Sequence, residues 1–277
     1  MKMDIKNSRI GFMQGRLSDL VDNMIQSFPW DDWENEFYIA NLNRLSLMEW
    51  TLDYKDLYKN PLMSDLGRKK ISFLSKKYQI DIPSLTGDCF MQKPFWKFHD
   101  SESLQKEFID ICLAASKIGI NYIVIPLVDN GKLDNIFQYE FIINYLNKLH
   151  DFFLENKLCI LFESDLEPIE LKNFIERFPK NIFGINYDIG NSAALNFDSA
   201  QEFYLYGKRI LNIHIKDRLI GGETVPLGKG NADFNKVAKN IKEISYNGNF
   251  VLQTARATDN NHVGVILNYK KFFEDLF

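Results

Sequence analysis

Four side chains at the ends of short apolar runs have the types that hold a divalent cation. Glu163 follows Ile160-Leu161-Phe162 and Asp188 follows Ile185-Asn186-Tyr187. His214 closes Leu211-Asn212-Ile213-His214, and Gln253 follows Phe250-Val251-Leu252. Two carboxylates, an imidazole and an amide oxygen form a mixed oxygen and nitrogen donor set. Such a set suits one Mn²⁺, Mg²⁺, Co²⁺ or Zn²⁺ ion and leaves positions for substrate oxygens. A single acidic residue after a strand is ordinarily a helix cap or a solvated charge. Four potential ligands on four consecutive runs are what point to a site.

Further candidates surround them. Lys216 and Arg218 lie just past His214, and Arg256 just past Gln253. These cations suit contacts to substrate hydroxyls or a phosphate, with pairing to Asp217 or Glu49 as the plainer role. Asp217 is a substrate contact or a partner that orients His214 or Lys216. Glu49 is a substrate contact or a buried acid paired near the mouth. Asp88, Trp50, Phe95 and Trp96 are candidate pocket walls. Gly228-Lys229-Gly230 reads as a turn entering a helix capped by Asp233, with an anion-holding loop as the alternative. His150 falls in an amphipathic helix and His99 and His262 in loops, as surface or packing residues.

The elements that must position these groups follow a rhythm of short apolar runs and longer stretches of helical period. The strand-like runs are 10–13, 45–50, 80–85, 122–127, 158–162, 182–187, 210–215 and 250–252. Several lack polar alternation, as parallel strands covered on both faces do. Between them, Leu104, Phe108, Ile111, Ala115 and Ile118 recur at helical spacing before Gly119. Phe234, Val237, Ile241 and Ile244 form a second stripe after Asp233, with Gly248 as its stop, and 265–277 reads as a last helix. A long loop, 18–33, precedes the first helix. Eight such units in 277 residues, with no GxGxxG after the first strand, predict a single (β/α)8 TIM barrel over 1–277. Side chains at the C-terminal ends of its strands then face one mouth.

Composition excludes other classes. The chain is 45% hydrophobic and 25% charged, which is globular usage rather than disordered or fibrous. Its net charge of −4 argues against a nucleic-acid partner. The longest apolar stretch, 122–128, is too short for a membrane span, and the opening residues lack a signal-peptide core. Cys89, Cys112 and Cys159 form no CxxC and read as buried thiols of a reducing, cytoplasmic compartment.

In order and position, several motifs are similar to those of a known family. They are 11–18 (GFMQGRLS), Met48-Glu49-Trp50, Phe162-Glu163, 187–191 (YDIGN), 214–218 (HIKDR) and 226–230 (PLGKG). Over essentially its whole length the chain resembles the sugar phosphate isomerase/epimerase family of xylose isomerase-like TIM barrels. The resemblance implies a divalent metal held by Glu, Asp, His and Glu, of which the first three map onto Glu163, Asp188 and His214. The fourth position departs: Gln253 stands where the family usually has glutamate. An amide oxygen can ligate but cannot accept a proton, and its neutrality implies weaker metal retention.

The implied chemistry is removal of a proton beside a carbonyl, giving an enediolate of a small sugar or sugar phosphate. Two-base epimerisation needs a proton acceptor on each face, whereas aldose–ketose isomerisation can use one. With Glu163 as the single ligand fit to be a base, the substitution favours isomerisation. Alternatives on the same site are a dehydratase that expels a β-hydroxyl, or a non-catalytic carbohydrate-binding barrel. Many relatives form dimers or tetramers, so a homo-oligomer is open.

Overall fold

The computed structural model describes residues 10–98 and 101–277. His99 lies outside these residues. Among the described residues there are ten strands: β1 (Ile10–Met13), β2 (Leu47–Thr51), β3 (Asp81–Thr86), β4 (Tyr122–Leu127), β5 (Cys159–Ser164), β6 (Phe183–Asp188), β7 (Ile210–Ile215), β8 (Asp217–Arg218), β9 (Thr224–Val225) and β10 (Asn249–Leu252). Eight of them close a parallel barrel in the order β1-β10-β7-β6-β5-β4-β3-β2, and β8 and β9 form a small antiparallel hairpin at its mouth. The predicted (β/α)8 barrel is therefore the observed fold.

The same described residues form eleven α-helices: α1 (Trp33–Leu42), α2 (Asp65–Tyr78), α3 (Asp88–Gln92), α4 (Ser101–Ser116), α5 (Ile136–Lys148), α6 (His150–Glu155), α7 (Pro168–Glu176), α8 (Ile189–Ala194), α9 (Ser199–Tyr206), α10 (Phe234–Glu243) and α11 (His262–Glu274). None of the described helices is long and apolar enough to cross a membrane. The main core lies between strands and helices, where Phe12, Trp50, Phe108, Phe153, Phe162, Phe183 and Phe250 are buried. Inside the barrel, Met13, Leu47 and Val251 make a separate apolar cluster.

Period-two alternation along each strand decides what points inward. The inward set includes Glu49, Ser84, Asn186, Asp188, Asn212 and His214, all buried. Strand β5 runs two residues further than the apolar pattern suggests, because Pro126 and Leu127 of β4 pair with Glu163 and Ser164. Glu163 thus sits on the ladder rather than in a loop after it, as Asp188 does on β6 and His214 on β7.

Caps read from sequence hold at Asp233, whose carboxylate accepts from the Lys236 amide at 3.0 Å. Gly248 is not the stop of that helix. Ser245 turns into the left-handed region (φ 54°) after Glu243, and Gly248 is instead a close approach, where a Cβ would lie 2.5 Å from the Leu211 carbonyl oxygen. His262 opens α11 rather than lying in a loop.

Candidate metal centre

Neighbouring strands β5, β6 and β7 deliver Glu163, Asp188 and His214 to one point. One donor atom from each lies within 4.8 Å of the others, the one such cluster of acid, thiol or imidazole groups among the described residues. His214 Nδ1 is 3.2 Å from Glu163 Oε2 and 3.9 Å from Asp188 Oδ2. Its Nε2 lies 2.7 Å from Glu49 Oε1. Glu49 therefore fixes the ring so that Nδ1 faces the carboxylates, the arrangement in which a carboxylate behind a histidine orients it toward a cation.

A lattice of amides sets the carboxylates. Asn186 Nδ2 donates to Glu163 Oε2 at 2.8 Å, and Asn191 Nδ2 donates to Glu163 Oε1 at 2.7 Å. Asn212 Nδ2 donates to Asn186 Oδ1 at 2.7 Å and to Glu49 Oε2 at 3.0 Å. Ser84 Oγ donates to the same Glu49 oxygen at 2.6 Å. Asp188 Oδ1 caps α8 by accepting from the Asn191 amide at 2.8 Å, which leaves Oδ2 facing the cluster. One sequence signal would have found part of this lattice. Asn186 and Asn212 precede the candidate ligands Asp188 and His214 by two residues, so they share their faces.

Gln253 joins the group through Lys216, whose Nζ donates to Gln253 Oε1 at 3.1 Å and to Asp188 Oδ2 at 3.2 Å. Gln253 Nε2 donates to Gln26 Oε1 at 2.8 Å, and Gln26 in turn donates to Asp88. Gln26 belongs to the long loop before α1, which the sequence motifs did not single out as part of the site. Arg16 anchors that loop, donating to the carbonyl oxygens of Ile25 at 2.6 Å and Thr254 at 3.1 Å.

These groups open into a cavity of about 650 Å³ lined by Gln26, Asp88, Glu163, Lys216, Arg218 and Gln253, among others. Burial, and next the Asp53 carboxylate, push Asp88 up to about 7. Burial disfavours a charged His214, but the carboxylates of Glu49 and Glu163 on either side outweigh it and raise the imidazole to about 10. Without a cation, the ring between them is an imidazolium.

The remaining predicted contacts are placed differently. Glu49 is fully buried behind His214, as a paired acid rather than a cavity wall. Asp217 is also fully buried, and its carboxylate accepts from the amides of Gly228 (2.8 Å), Gly230 (2.9 Å) and Ala232 (3.1 Å). It shapes the 228–232 turn, and among the described residues its carboxylate makes no hydrogen bond to His214 or Lys216. The glycine-rich turn does hold an anion, but an internal one. Arg256 is spent on the carbonyl oxygens of Gly15 and Ser18. Arg218 lines the cavity while bonding Asn191 Oδ1 at 2.8 Å and the Gly222 carbonyl oxygen. Trp50, Phe95 and Trp96 are core residues, with Trp96 Nε1 donating to the Gly131 carbonyl oxygen at 3.1 Å. Of the predicted walls, Asp88 faces the cavity.

Residues 46–269 match the sequence profile of the xylose isomerase-like TIM barrel family. The chain belongs to that family. No curated protein matches it by sequence. Among solved structures, this xylose isomerase-like barrel is similar to a xylose isomerase domain protein from Planctomyces limnophilus, at a TM-score of 0.75 and 14% identity over 97% of this chain and 96% of that one. It is also similar to the IOLI protein, solved with a bound zinc atom, at a TM-score of 0.74 and 16% identity over 97% of each chain. A third likeness is to D-allulose 3-epimerase from Methylomonas sp., solved in complex with D-allulose, at a TM-score of 0.73 and 12% identity over 98% of each chain. At these identities the likeness is one of fold.

Proposed function

We propose that the chain is a divalent-metal-dependent isomerase or epimerase of a small sugar or sugar phosphate, with Glu163 as the proton-transferring base. The observation that carries this reading is the convergence of Glu163 Oε2, Asp188 Oδ2 and His214 Nδ1, with Glu163 lining a sugar-sized cavity. The set fits Mn²⁺, Mg²⁺, Co²⁺ or Zn²⁺, and the zinc in the IOLI protein and the sugar in the allulose epimerase lend support to such a use of the fold. When bound, the cation would polarise a substrate carbonyl and stabilise negative charge developing on its oxygen.

The chain's own residues do the rest. Glu163 takes a proton from the carbon beside the carbonyl and returns it. Asn186 and Asn191 hold both of its oxygens, so its aim is set before substrate arrives. Gln253 offers no proton acceptor, and its amide is already bonded to Lys216 and Gln26. This favours single-face aldose–ketose isomerisation over two-base epimerisation. Lys216 and Arg218 remain the proposed substrate contacts of the cavity wall, and Gln253 Oε1 the proposed fourth metal donor. We place the single-domain protein in the cytoplasm, with a small-molecule partner and no nucleic acid.

The test incubates the metal-loaded protein in D₂O with a panel of free and phosphorylated aldoses and ketoses. The reading expects deuterium at the carbon beside the carbonyl and a changed sugar, both lost in Glu163→Gln. A metal-loaded protein that exchanges no such proton, or a dehydrated product without isomer, contradicts it.

A further inference from the structure

Lys216 sits closer to the proposed metal donors than a substrate contact of the cavity wall needs to. Its ammonium is 3.2 Å from Asp188 Oδ2, 3.1 Å from Gln253 Oε1 and 3.4 Å from Asn191 Oδ1. The other Asp188 oxygen caps α8, so Oδ2 is the one it can offer to a cation. The ammonium therefore occupies two of the four donors that the metal reading requires. The seat is built into the fold. Gly190 has no side chain where the lysine stem crosses it, and a Cβ there would lie 2.7 Å from Lys216 Cγ and 2.9 Å from its Cβ. The side chain is 14% exposed and borders the cavity, so it has somewhere to go.

We infer that Lys216 is a displaceable resident cation of the metal site. It bridges Asp188 and Gln253 in the metal-free protein, and it yields those oxygens to an arriving divalent ion by turning its ammonium into the cavity to face the substrate. This rests on the proposed metal site and adds to it a positioning residue. Gln253 makes the exchange necessary. A glutamate there would add a negative charge and let both cations share the site, whereas a neutral amide leaves Asp188 as the one carboxylate between them. Two cations a few ångströms apart in a partly buried site repel by enough to change a binding constant tenfold or more.

The experiment titrates chelator-treated, full-length protein with Mn²⁺ in a calorimeter, alongside Lys216→Met, Lys216→Gln, Lys216→Arg and Glu163→Gln. Lys216→Met and Lys216→Gln, which lack the charge, are expected to bind Mn²⁺ at least ~10-fold more tightly than the wild type. Lys216→Arg, which keeps the charge, is expected to show no gain. Met and Gln variants that bind no more tightly than the wild type overturn the inference and leave the metal site intact. No binding by any variant, or Glu163→Gln binding as the wild type does, overturns the metal reading and this inference with it. A second measurement needs no variant: reductive methylation of wild-type protein, read by mass spectrometry at Lys216. Saturation with Zn²⁺ should raise labelling severalfold, and unchanged or reduced labelling contradicts the displacement.

Discussion

Metal binding should be tied to the loss of one proton from His214. With the imidazole raised to about 10 by Glu49 and Glu163, the metal-free ring is an imidazolium at neutral pH and Nδ1 has no lone pair to give. A ligand must be deprotonated before it binds, so the cation competes with that proton. At pH 7 the competition spans about three pH units, which weakens the apparent affinity roughly a thousandfold relative to that of the neutral ring. The penalty relaxes roughly tenfold per pH unit, so the Mn²⁺ association constant should rise roughly 30-fold between pH 7.0 and 8.5. Calorimetry in two buffers of different ionisation enthalpy reads the proton directly, and about one should leave per ion bound. An affinity that changes less than about threefold over this interval, with no proton released, refutes the reasoning.

Replacing Glu49 by Gln removes a charge that favours the imidazolium and the acceptor that orients the ring. Proton release at pH 7 should fall while affinity above pH 8 drops ~10–100-fold, as for other carboxylates behind a metal-binding histidine. Metal-free protein should lose thermal stability as pH rises from 6.5 toward 10. The folded state holds the His214 proton more tightly than the unfolded chain, so its contribution is complete below 6.5 and lost through the folded value of about 10. Calorimetric scans in chelator that show Tm rising over this range contradict it. Asp217→Ala should destabilise the fold by ~3 kcal/mol, since three backbone amides lose their acceptor at once. Urea unfolding checks this, and a loss under ~1 kcal/mol would mean that water replaces the carboxylate.

The barrel was legible because its strands are short, mostly apolar runs separated by stretches of helical period, several of them without polar alternation. Tyr122–Leu127 and Ile210–Ile215 form strands with the bounds their composition suggests. Glu163, Asp188 and His214 were legible because β5, β6 and β7 are neighbours in sequence and in space, so equal positions on them meet. What sequence does not carry is how a charge is spent. Arg256 and Asp217 sit at strand ends like the true cavity residues, yet each turns onto backbone groups of a neighbouring loop. Glu49 has the same inward address as Glu163, Asp188 and His214, but lies behind the imidazole. Gln26 reaches the centre from a loop whose path depends on Arg16 gripping the Ile25 and Thr254 carbonyl oxygens, a contact between residues 238 positions apart that no local pattern announces.

The most direct measurement is an anomalous difference map from crystals soaked in Mn²⁺. The account predicts one peak at bonding distance from Glu163, Asp188 and His214 Nδ1, with the imidazole still held by Glu49. A saturated crystal with no peak there, or with the ion bound elsewhere in the cavity, contradicts it.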